Sequence, residues 1–172
     1  MSATLQEVIS AWRADSAAVP LDELDRRILG LTALVQGIAD RGAVTAIELA
    51  AHLGTSPEEA SSLLRSLAAG GVELAEDGSA VGAALTTRPT PHRFGVRGNE
   101  LYAWCALNTL FLPGLLDATA EVRSTCPESG QEIRLVVAPD RVESCLPDTA
   151  VLSVVIPQAL GPDRKTGPAS PT

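Results

Sequence analysis

The stretch Arg88-Pro89-Thr90-Pro91-His92 limits the fold of this chain more than any other part of it. Each proline lacks a backbone N–H and pushes the residue before it out of the helical region, so no helix can run through the segment. The chain must divide here into an upstream part and a downstream part that begins as an extended connector. A second change of character comes at Gly161, after which the sequence is polar and rich in Pro and Gly, the composition of a disordered tail. The expected organisation is a helical and winged-helix-like module over residues 1–87, an α+β core over 88–160 and a tail over 161–172.

Upstream of the prolines, residues 4–17 and 21–39 both have helical periodicity. In the second, Leu21, Leu24, Ile28, Leu31, Leu34, Val35 and Ile38 make one apolar face. Ile47, Leu49, Ala50 and Leu53 predict a short helix stopped by Gly54. Ser56-Pro57-Glu58-Glu59 opens another, with Ser56 as cap, Pro57 at the first helical position and Glu59 closing a capping box. Leu63, Leu64 and Leu67 supply its buried stripe. Val72 to Leu74 and Val81 to Leu85 then flank Asp77-Gly78, a hairpin signal.

This is the outline of a winged helix, but its charge opposes DNA binding. Between Asp40 and Leu85 two basic residues stand against seven acidic ones, and a recognition helix opening with two glutamates would repel phosphates. The formal net charge of −8 likewise opposes a nucleic-acid or anionic-membrane partner. The module is therefore expected to serve packing. No apolar run is long enough to span a bilayer, since Pro113 and Gly114 interrupt the best candidate. The N-terminus does not read as a secretion signal, so a cytoplasmic location is expected.

Downstream, a short turn is expected at Gly98-Asn99, followed by a helix from Glu100 to Leu112 that ends near Pro113. Strands are expected at Thr119–Thr125, Glu132–Val137 and Ala150–Ile156, the first two joined by a turn over Cys126–Gly130. Aromatic residues are only 3% of the chain, so the core must be built mainly from Ala, Leu and Val. The fold class expected is α+β: N-terminal helices and a winged-helix-like unit, then a small, mostly antiparallel sheet packed on the Cys105 helix.

The three cysteines, Cys105, Cys126 and Cys145, are too few and too scattered for a disulfide framework, and none makes a C-x-x-C pair for structural zinc. Cys105 and Asn108 are three apart on the predicted helix and share a face. A free cysteine is most often a small buried hydrophobe. A buried amide in an apolar helix, by contrast, needs a specific partner. Spacing alone favours a structural role for the pair. His92, between Pro91 and Arg93, is expected to hydrogen-bond the connector in place rather than act as a base, and Tyr102 and Trp104 to form wall and core.

Taken together, Thr90-Pro91-His92-Arg93-Phe94 and Leu101-Tyr102-Ala103-Trp104-Cys105-Ala106-Leu107 resemble the signature of the organomercurial (alkylmercury) lyases. Leu85-Thr86-Thr87-Arg88-Pro89 upstream, and Ser124-Thr125-Cys126 and Val154-Val155-Ile156-Pro157-Gln158 downstream, are similar to family segments. The resemblance implies protonolysis of a carbon–mercury bond, releasing a hydrocarbon and Hg(II). Its partners would be an organomercurial, Hg(II) and small thiols, with no resident cofactor. Mercury is soft and thiolate is its natural protein ligand; a second thiolate weakens the bond to carbon, and a carboxyl group handles the proton.

By this resemblance Cys105 takes the position of the first family cysteine and holds the mercury of substrate or product. The family aspartate three residues later is Asn108 here, and a carboxamide cannot exchange a proton near neutral pH. The second family cysteine lies beyond the Pro-Gln segment, where this chain turns to Gly161-Pro162-Asp163-Arg164-Lys165, the pattern of a truncated C-terminus. Cys126 matches a cysteine regarded as structural, and Cys145 matches no motif, though it could approach Cys105 in space. The expectation is a lyase of impaired activity, with a non-catalytic mercury binder as the alternative and a DNA-binding regulator last.

Overall fold

A computed structural model describes residues 21–153. Of these, Asp25–Leu152 form one compact unit. The predicted helix over 4–17, the tail over 161–172 and the family-like segment Val154–Gln158 lie outside the described residues.

Helix α1 (Leu21–Arg41) buries the C-terminal part of its expected apolar face. Leu34, Val35 and Ile38 are enclosed, whereas Ile28 and Leu31 are 51% and 38% exposed. Helices α2 (Ala46–Leu53) and α3 (Pro57–Ala69) start on the same device. Thr45 Oγ1 accepts the Glu48 N–H at 3.2 Å while Glu48 accepts the Thr45 N–H at 2.8 Å. Ser56 and Glu59 repeat the exchange at 3.2 and 3.1 Å. Each box satisfies two N–H groups that a helix start leaves without partners. Gly54, at φ 66°, ends α2 in the left-handed conformation that glycine adopts without strain.

A hairpin follows as β1 (Glu73–Leu74) and β2 (Ala80–Ala83), antiparallel about Asp77-Gly78. Asp77 Oδ1 accepts both the N–H and the hydroxyl of Ser79, which holds the turn. A bridge from Val44 to Ala80 ties the loop before α2 to this hairpin.

The strands β3 (Leu85–Thr86), β4 (His92–Val96), β5 (Asn99–Ala103), β6 (Ala120–Thr125), β7 (Glu132–Val137) and β8 (Val142–Leu146) continue the same sheet. Its order is β1-β2-β3-β5-β4-β6-β7-β8, antiparallel throughout. One face is closed by helix α4 (Ala106–Leu116), which packs against β4 to β7. Along β6 the alternation is strict, with Ala120, Val122 and Ser124 inward and Glu121, Arg123 and Thr125 in solvent. Phe94, Leu112 and Leu116 are fully buried, each burial worth roughly 1.5–3 kcal/mol.

The α+β class and the two strands β6 and β7 agree with expectation, but the structure corrects the segment around Cys105. Residues Asn99–Ala103 are a strand, not the start of a helix, because Leu101 and Ala103 fill the core between β3 and β4. The β4–β5 turn falls at Arg97-Gly98, both with positive φ (52° and 81°), one residue earlier than expected. Helix α4 begins at Ala106 and runs through Pro113 to Leu116. Pro113 is tolerated because it and Leu112 and Leu116 are buried together on the sheet, so packing outweighs the lost hydrogen bond. The third downstream strand is Val142–Leu146, and residues 150–153 are not a strand.

Candidate functional site

The two motif pieces, separated by the six residues 95–100, fall on neighbouring strands. Arg93 pairs with Tyr102 and Phe94 with Leu101 in the β4–β5 hairpin. The connector fastens the end of β5, since the Thr90 hydroxyl donates to the Ala103 carbonyl at 2.6 Å and accepts the His92 N–H at 3.1 Å. Trp104 N–H donates to Ala84 O at 3.0 Å. Beyond these ties the chain leaves the sheet and turns into α4, with Cys105 at the junction. Thr90 was not assigned a role from sequence; the Ser/Thr-before-Pro turn chemistry of this segment is the signal that could have found it.

Cys105 is the N-cap of α4, in extended conformation, and is exposed. Sequence periodicity had it inside a helix and enclosed; it is neither. Asn108 is the third residue of the helix. Its Oδ1 accepts from the Cys105 backbone N–H at 3.1 Å and from the Cys105 thiol at 2.9 Å. A backbone N–H can only donate, so the oxygen of the amide must be the atom turned toward Cys105. The demand for a partner to the Asn108 amide is thus met by Cys105 itself. The pair stands at the end of the helix where negative charge is favoured.

His92 is half-buried, and its Nδ1 shares a 2.9 Å hydrogen bond with Ser124 Oγ across the β4–β6 pair. Burial pushes its pKa below the ordinary 6.5, which keeps the ring neutral near pH 7. The ring thus holds β6, while the His92 N–H is tied to Thr90 of the connector. Trp104, expected in the wall or core, is 36% exposed beside the thiol.

The other thiols are held differently. Cys126 opens the turn to β7, and the Ser129 hydroxyl and the backbone N–H groups of Ser129 and Glu128 lower its pKa. Cys145 sits on β8 opposite Leu135, its thiol directed to Pro147 O at 3.2 Å. The strand order places β8 four spacings from β5, about 19 Å across the sheet, and β6 two spacings away, about 10 Å. The approach of Cys145 to Cys105 considered from sequence therefore has no support in the topology. All three thiols are free, and among the described residues no cluster of three or more His, Cys, Asp or Glu side chains is arranged to hold a metal. No helix of the described residues is long and apolar enough to cross a membrane.

Comparison with known proteins bears on this site directly. The family model for alkylmercury lyase (MerB) matches residues 85–167, which include the Thr90 connector, Cys105, Asn108 and Cys126. An alkylmercury lyase of Staphylococcus epidermidis is 44% identical over 131 residues, 76% of this chain and 60% of that protein. One from Streptomyces lividans is 42% identical over 127 residues, 73% of this chain and 58% of that one. The crystal structure of the mercury-bound form of MerB2 superposes with a TM-score of 0.64 at 26% identity, covering 83% of this chain and 68% of its own. The chain spans about 60% of the length of the curated relatives it matches. On sequence and on fold together, it is similar to the alkylmercury lyase family, whose model it matches over residues 85–167.

Proposed function

We propose that this protein acts on organomercurials, with Cys105 as the thiol that takes the mercury. The observation that carries this reading is the placement of Cys105. It is an exposed thiol at the start of α4, fixed by the family motif and free of any structural bond other than that to Asn108. In the first step the S–H bond of Cys105 and the bond from mercury to its inorganic ligand break. A sulfur–mercury bond forms, and the proton leaves with that ligand. In the second, the carbon–mercury bond takes up a proton, giving a hydrocarbon and thiol-bound Hg(II).

Asn108 shapes both steps. Once mercury replaces the thiol proton, the Asn108 oxygen keeps the backbone N–H but loses the S–H donor. The carboxamide has no exchangeable acid proton, so the second step must draw on water or on a small thiol. Positioned general acids contribute typically 10²–10⁴-fold, and we infer that turnover is slow by a factor of this order. Small thiols serve as the second sulfur ligand and carry Hg(II) away. The free cysteines suit a reducing, cytoplasmic setting, and the acidic helix–turn–helix is read as a packing module rather than a DNA reader.

The Asn108 carboxamide also favours a second reading, a protein that retains mercury without cleaving the organic group. The test is incubation of the purified protein with phenylmercury and excess small thiol, measuring benzene release. Release above the thiol-only rate, abolished in Cys105→Ser, supports the lyase. Stoichiometric retention of phenylmercury without benzene assigns the chain to the second reading, and release that survives Cys105→Ser rejects Cys105.

A further inference from the structure

The sheet face opposite α4 carries a feature that the mercury chemistry does not use. Arg93, Arg123 and Arg134 stand directly opposite one another on β4, β6 and β7, all exposed. Like charges in direct cross-strand register destabilise a sheet. The two outer arginines are relieved by carboxylates, Arg93 by Glu100 and Arg134 by Glu132. Arg88, Arg97 and Arg141 are paired as well. Arg123, between two other arginines, has no carboxylate partner among the described residues.

Beside Arg93 and Arg123 the sheet is hollow. A groove of about 520 Å³ is lined by Arg93, Gly95, Arg97, Glu100, Glu121 and Arg123, among others. Its floor is Gly95, in the middle of a central strand. Gly95 is not in the left-handed region, and a Cβ there would meet nothing nearer than 3.6 Å. Neither backbone strain nor crowding requires the glycine. Its cost to the strand is of the order of 0.5–1 kcal/mol, and its effect is to leave the groove open, a use that glycine in a strand often marks.

The charges around the groove form two rows. Glu100 and Glu121 are each paired across Gly95, two residues along the strands from the arginine row. That separation is about 7 Å, close to the span of two extended residues. We propose that this groove binds a dipeptide-sized zwitterion, its carboxylate on Arg123 and its ammonium on Glu121, while Arg93 and Glu100, paired with each other at 3.7 Å, line its side. Arg97 is held by Asp40 and closes one end without supplying a free charge. The site is independent of the mercury reading.

Glycylglycine is the probe. Titrated into the isotopically labelled full chain at constant ionic strength, it should give saturable shifts at the amides of Gly95, Glu121 and Arg123. Arg123→Gln should weaken the apparent affinity about tenfold or more, the value of a charge-assisted hydrogen bond. The unliganded variant should melt no lower than the wild type, because a like-charge contact is removed. Gly95→Val, which fills the floor with a good strand former, should also block binding while keeping the fold. Acetate or ethylammonium alone should bind more weakly than the dipeptide. The proposal is overturned by shifts that do not saturate, by acetate acting as well as glycylglycine, by binding that survives either substitution, or by a lower melting temperature in unliganded Arg123→Gln.

Discussion

Helices α3 and α4 begin on the same template, an N-cap residue and a polar side chain three positions on, yet the two starts do different things. In α3 the Ser56 hydroxyl accepts the Glu59 N–H and the Glu59 carboxylate accepts the Ser56 N–H. Both side chains are spent on the backbone. In α4 the carboxamide of Asn108 fills the Glu59 role toward the Cys105 N–H, but the Asn108 N–H donates to the Cys105 backbone carbonyl at 3.1 Å. The sulfur instead points its proton at Asn108 and stays open to solvent. A thiol is a poor cap, so this position gives up capping strength and presents a soft nucleophile on a rigid helix end. The same local geometry is structural where its atoms are all satisfied within the helix, and available for chemistry where one of them is not.

The two helix starts differ most in chemistry at Asn108. Asn108→Asp restores the carboxylate found in the other two boxes and adds a group that can carry a proton. Benzene release from phenylmercury should rise by about 10- to 100-fold, short of the full range for general acids, with unchanged mercury stoichiometry. An unchanged rate would mean that proton supply is not what limits the reaction.

At the purely structural box, Ser56→Ala should lower stability by about 1 kcal/mol, seen as a fall in the urea midpoint, and leave mercury binding untouched. The same assay on Cys105→Ser should show no loss and a gain of a few tenths of a kcal/mol, because a hydroxyl caps better than a thiol. A destabilised Cys105→Ser would make the residue structural and remove the contrast.

The smallest effect concerns His92, which braces β4 against β6 beneath the connector. Its pKa in the folded state lies below the ordinary 6.5 because burial disfavours the charged ring. The unfolded chain therefore binds the proton more readily, and this term is absent well above pH 6.5. As pH falls through 6.5 toward the lower folded value, stability is lost, and below that value the loss stops growing. Urea midpoints across this range should show the decline, and His92→Asn, which keeps a partner for Ser124, should flatten it.

What could be read from sequence followed from signals that are local. The Ser56 box, the Gly54 stop and the Asp77-Gly78 turn depend on a few adjacent residues and appear where expected. The strand β5 was hidden because Leu101 to Leu112 is apolar without a clear period, and helix-prone Glu100, Leu101 and Ala103 were drawn into a strand by their partners on β3 and β4. That one error moved Cys105 from a helix end to a helix middle. Strand β8 was hidden for the opposite reason: at the margin of the sheet its Glu143 and Ser144 face solvent, so it has little apolar pattern to read. The motif residues themselves were legible, but the Thr90 tie to Ala103 and the His92 bond to Ser124 span separations that no local pattern reports.

On the proposed function Cys105, rather than the turn thiol Cys126 or the strand thiol Cys145, takes the mercury. Peptide mapping by mass spectrometry, after one equivalent of phenylmercury in the presence of excess small thiol, tests it directly. The adduct, or its Hg(II) product, should lie on the peptide containing Cys105 and be lost in Cys105→Ser. An adduct that resides on Cys126 or Cys145 in the wild-type protein would contradict it.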